Sequence, residues 1–203
     1  MFIVSNYLLA VVFCFITMLC WGSWGNTQKM AAKSWRYELF YWDYVIGMVL
    51  FALLIGLTMG SMGSQGRPFI EDLMQANGSG ILSVLVGGII FNASNILLSA
   101  SVSLAGMSGA FPLGVGLALV LGVIINYMGA PKGNPVLLFV GVVLIVVAIV
   151  CNGIASGRMA KSGEQSSSNR KGMILSVVAG VLMSFFYRFV AAAMDLDNFE
   201  QPT

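Results

Sequence analysis

Gly88, Asn92, Asn95, Ser99 and Ser103 recur at intervals of four, three, four and four residues within an otherwise apolar run. Residues three and four apart share a helical face, so this spacing predicts a polar stripe on one helix. A carboxamide offers both N–H donors and a carbonyl acceptor, the groups that hold a neutral polar molecule. Burying one without partners costs several kcal/mol. Two readings follow for Asn92, Asn95 and Ser99. They line a polar cavity and hydrogen-bond a solute, or they tie helices together, as Asn and Ser do in membrane bundles.

Other candidates stand near the ends of apolar runs. Trp21 and Trp24 belong either to an interfacial aromatic belt or to a cavity wall that stacks on a ring-shaped solute. Glu38 is expected in a loop. Asp43 is expected in a helix's first turn, where the dipole stabilises its charge, and both are candidates for a coupling role or, at Asp43, a substrate contact. Gly114, Ala118 and Gly122 form a small-residue stripe suited to close helix packing, and Asn126 continues it as a further solute candidate. Pro112 frees a carbonyl one turn back, to be met by a neighbour or by the cavity. Arg188 is placed to snorkel to the interface, and Asn152 to cap a helix end.

Enzyme chemistry finds little footing. The chain has no histidine, no HExxH and no base beside any serine. Cys14, Cys20 and Cys151 lie in apolar runs without CxxC spacing, which argues against zinc or a disulfide framework. Gly157–Ser162 lacks the glycine before lysine that a phosphate loop needs. No cofactor or metal is called for.

These side chains need elements to position them. Of the 203 residues, 58% are hydrophobic and 9% charged, against roughly 25% charged in soluble domains, and the mean hydropathy is +0.90. Lipid must be the solvent. Runs near the ~20 residues that cross a bilayer fall at 3–24, 40–60, 80–103, 110–128, 135–156 and 172–194. Backbone groups in lipid must be satisfied internally, and strict alternation is absent, so the fold class is all-α, a polytopic transmembrane bundle of about six helices. The first run lacks a basic flank and a cleavage pattern and is taken as a retained helix. Pro68–Met74 predicts a short interfacial helix with acids near its positive end, and 157–171 a solvated linker.

Odd-numbered loops hold seven of the ten lysines and arginines: Lys29, Lys33, Arg36, Arg158, Lys161, Arg170 and Lys171. Even loops hold Arg67 and Lys132. The positive-inside rule then puts odd loops in the cytoplasm and the N-terminus outside. A net charge of +2 with no basic stripe excludes nucleic acid as a partner. Leu8–Val12 is similar to Ile174–Val178, with Trp21 in step with Tyr187. The sixth span thus reads as a second copy of the first, in opposite membrane orientation, as in inverted-repeat transporters. The expected division is a five-helix repeat over 1–156, a cytoplasmic linker over 157–171, and the first helix of a truncated second repeat over 172–203, with 195–203 leading onward.

Several segments together carry a resemblance: Cys20–Thr27, Glu38–Tyr44, Phe91–Leu98, Ala110–Val120 and Asn126-Tyr127. The chain resembles the drug/metabolite transporter superfamily, on the branch of bacterial relatives of the plant ureide permeases and the glucose/ribose porters. The resemblance implies a ten-helix inner-membrane permease of two inverted repeats. Such a permease would take up a small polar metabolite such as a sugar, nucleobase or ureide, coupled to a proton or sodium ion, with a homodimer left open. The alternatives are cation or multidrug efflux, which wants a carboxylate deep in a helix, and a non-transporting membrane fragment.

Overall fold

A computed structural model describes residues 2, 4, 6–63, 66–131, 133–160 and 167–194. Among them the backbone forms seven helices and no strand. Six are long and apolar enough to cross a membrane: α1 (Tyr7–Ala31), α2 (Tyr37–Leu57), α4 (Gly78–Ala105), α5 (Met107–Gly129), α6 (Pro135–Ala160) and α7 (Ser167–Ala191). The seventh, α3 (Phe69–Gln75), falls where a short helix was expected, with Pro68 as its N-cap and Glu71 and Asp72 in its first turn. Lys132, the 161–166 part of the linker with Lys161, and the tail 195–203 lie outside the described residues.

The chain forms two compact units. The first contains α1, α2 and α3. Asn6 caps α1, its Oδ1 accepting from Leu8 N at 2.8 Å and Leu9 N at 3.4 Å. The helix continues seven residues past the expected end at Trp24. Ser23 and Thr27 donate to carbonyls in the preceding turn, so polar side chains there do not pull the backbone out of the helix. α2 starts at Tyr37 rather than Phe40. This corrects two placements: Glu38 sits in the first turn instead of a loop, and Asp43 in the second turn instead of the first. No residue between 37 and 40 interrupts the helix. α3 is pinned to α2, because a Cβ at Gly56 would lie 3.3 Å from the Phe69 ring.

The second unit holds α4 from Leu82, α5, α6 and α7. Asn77 Oδ1 caps α4, accepting from Ser79 N at 3.3 Å. A single residue, Gly106 at φ +76°, separates α4 from α5, a conformation that favours glycine. The carbonyl that Pro112 frees belongs to Ser108, and the Ser156 hydroxyl of α6 approaches it at 3.4 Å. A neighbouring helix meets it, as one of the two expectations had it. Asn134 caps α6. Helix α6 runs on to Ala160, which leaves Asn152 exposed inside a helix rather than at its end.

Candidate functional site: two faces of α4

Successive residues on a helix turn by about 100°, and this splits the polar side chains of α4 into two lines. Ser83, Ser94 and Ser101 are eleven and seven residues apart, three and two whole turns, so they stack in one line. Each donates to a backbone carbonyl of α7: Ser83 to Phe189 at 2.7 Å, Ser94 to Ala179 at 2.7 Å, and Ser101 to Gly172 at 2.6 Å. The partner numbers fall as the serine numbers rise, so α4 and α7 run antiparallel. Gly87 lies on the same side, where an added Cβ would stand 3.1 Å from the Phe186 carbonyl. Sequence reading missed this line, although its spacing of whole turns was the available signal.

The second line holds the predicted residues, about 100–180° further round the helix. Asn95 and Ser99 are fully buried. Asn92 is half-buried, and its Nδ2 donates to the Gly88 carbonyl of its own helix at 2.9 Å. Gly88 borders open space and Ser103 is exposed, so the stripe is interior only in its middle. Asn95 stands apart. Its Oδ1 and Nδ2 are both buried, and neither hydrogen-bonds any described residue. A dry, unmet carboxamide costs about 1–3 kcal/mol in protein mutational terms. Such groups in native proteins call for an explanation such as a bound polar partner.

α7 also lies along α5, in parallel. The Ser176 hydroxyl donates to the Ala110 carbonyl. A Cβ on Gly180 would come within 2.6 Å of the Gly114 carbonyl, and one on Gly114 within 2.8 Å of Ser176 Oγ. The stripe Gly114, Ala118, Gly122 thus does what small residues do: it lets a helix backbone approach. Buried Leu98, Val102, Ala118, Ala179 and Met183 contribute to the surrounding core. Asn126, continuing the stripe, is half-buried. Near the end of α5, a Cβ on Gly129 would lie 2.5 Å from Arg188 Nη1, so the guanidinium rests at the negative end of that helix's dipole.

The remaining candidates belong to the first unit. Trp24 is buried and stacks on Tyr44, ring centroids 5.6 Å apart, so one indole face is already covered. Trp21 is half-buried. Gln28, one turn beyond Trp24 and absent from the sequence expectations, is also buried. Asp43 is exposed, and its Oδ2 accepts from the Trp35 indole at 3.0 Å. Glu38 pairs with Arg36 at 3.0 Å. That hydrogen bond, with the attraction between the charges second, raises the Arg36 guanidinium above its ordinary value. Among the described residues no cluster of His, Cys, Asp or Glu could hold a metal ion.

A family model described as ureide permease matches residues 40–171, a stretch that contains all of α4 and α5. The chain belongs to the ureide permease family. Curated relatives share it. Ureide permease 2 of Arabidopsis thaliana is 28% identical over 163 residues, covering 78% of this chain and 41% of the relative. Ureide permease 1 of the same plant is 26% identical over 148 residues, covering 72% and 38%. Probable ureide permease A3 of Vigna unguiculata is 27% identical over 146 residues, covering 69% and 39%. The chain spans about two fifths of the length of these relatives. No solved structure matches it. Six apolar spanning helices and the family together make this a multi-pass membrane protein.

Proposed function

We propose that this ureide permease family member takes part in secondary transport of a small polar metabolite, with a ureide favoured over a nucleobase or sugar by the names of its relatives. The observation that carries the reading is Asn95. A buried carboxamide with free donor and acceptor matches a neutral solute that presents an acceptor beside an N–H. Ser99, one turn on, and Asn92, nearly one turn back, extend the same face; Asn126, Trp21 and Trp24 remain proposed contacts. Alternating access would move one repeat against the other around this site. The chain would be the first five-helix repeat and part of a second, in an inner membrane with the N-terminus outside. Coupling, to a proton or sodium ion, is assigned to Asp43 or Glu38, because α4–α7 contain no carboxylate within their spans. That same lack of a deep acid disfavours cation efflux.

The test is uptake of radiolabelled allantoin (a ureide), uracil and glucose by cells producing the full chain or Asn95→Leu at matched membrane abundance. The wild type is expected to take up at least one, and the variant to insert normally and lose that uptake. Unimpaired uptake by the variant, or none by the wild type, overturns the reading.

A further inference from the structure

We propose that Ser94 is a positioning residue for solute recognition: by donating to the Ala179 carbonyl it sets the rotation of α4, and so aims Asn95. The inference rests on the reading in which Asn95 binds the solute, and it makes α7 part of the recognition machinery although no solute contact is assigned to it.

Ser94 and Asn95 are adjacent, so their side chains leave the helix about 100° apart. Ser94 is fully buried and held at 2.7 Å on a carbonyl of another helix, whereas Asn95 has no described partner to hold it. Nothing bonded to Asn95 itself fixes its direction; the bond at its neighbour does. A carboxamide lies about 5–6 Å from the helix axis, so a rotation of about 20° moves it by about 2 Å. Hydrogen bonds tolerate only a few tenths of an ångström about their preferred length. Ser83 and Ser101 bond to α7 further along the same line and hold the rotation towards the ends of α4, but Ser94 is the one beside the site. Ala179 is fully buried against this contact, and its carbonyl sits mid-helix with an intrahelical partner available. Removing the hydroxyl therefore strands no group and costs little stability.

The experiment measures KM and maximal uptake per molecule in the full chain, using whichever of allantoin, uracil and glucose the wild type takes up. Ser94→Ala, Ser94→Cys, Asn95→Ala and the double variant Ser94→Ala/Asn95→Ala are compared at matched abundance. Where uptake is too low to fit, calorimetric binding of the same solute to purified protein supplies the affinity. Ser94→Ala is expected to raise KM roughly five- to tenfold, the loss of about one hydrogen bond's worth of alignment, with maximal rate unchanged and thermal stability lowered no more than by Ser101→Ala. The weaker thiol donor in Ser94→Cys should give an intermediate KM. In the Asn95→Ala background, adding Ser94→Ala should change nothing further, because the first effect acts through the second residue. A purely structural serine would instead lower abundance or melting temperature at constant KM, and that result overturns the inference. So do additive effects. Should Asn95→Ala impair uptake while both Ser94 variants keep the wild-type KM, the positioning role alone fails. Should Asn95→Ala itself keep the wild-type KM, the solute-binding reading fails with it.

Discussion

The two faces of α4 carry similar polar residues and treat them in opposite ways. On one, Ser83, Ser94 and Ser101 each give a proton to a carbonyl of α7. On the other, Asn95 keeps both ends of its carboxamide unspent in an equally dry setting. A fold shaped only by stability would have met Asn95 or replaced it with leucine, since swapping an unmet buried amide for an apolar group of similar size is neutral or favourable. The difference separates a seam that joins α4 to α7 from a carboxamide left open to the proposed solute. Stability and function often pull apart in this way at binding sites.

Several substitutions can break or sharpen that contrast. The largest effect is expected from Gly180→Val, which pushes a branched side chain into the Gly114 carbonyl 2.6 Å from the new Cβ. It should destabilise the α5–α7 contact by about 3 kcal/mol, read as loss of folded protein in detergent melts. Next comes Asn95→Leu. Uptake should fall about a hundredfold, near 2.7 kcal/mol, while the melting temperature stays level or rises. A drop in both would mean that the amide is structural and would erase the distinction between the faces. Ser101→Ala, on the satisfied face, should cost about 0.6 kcal/mol in stability, the average for polar contacts between membrane helices, and leave solute preference alone. Smallest is Arg188→Gln, about 0.5 kcal/mol from the end of α5, visible as a melting shift that shrinks in high salt.

The spans were legible because the bilayer demands about 20 apolar residues whatever the function. Their ends were less so. α1 overran its expected end because Ser23 and Thr27 bond back into their own helix, and composition does not distinguish such a serine from one in a loop. Asp43 was displaced by a turn for a related reason: Tyr37-Glu38-Leu39 is polar enough to suggest a loop yet continues the helix. The carboxamide stripe could be read from spacing, and Asn95 and Ser99 are where it pointed, in the interior. Its outer members could not be sorted, since Asn92 turns onto Gly88 and Ser103 is exposed. The serine line went unnoticed because serine counts as merely small in a hydropathy profile. The whole-turn spacing is in the sequence, but only the partner helix shows that it marks a shared seam.

That seam has a consequence for how such proteins diverge. The serines of α4 grip peptide oxygens, which every amino acid supplies, so the joint reads the backbone of Gly172, Ala179 and Phe189 and not their side chains. Side chains elsewhere on α7 are free to drift with the lipid or the cargo. Relatives only about a quarter identical to this chain could keep the same lock while rewriting nearly all of the lettering around it.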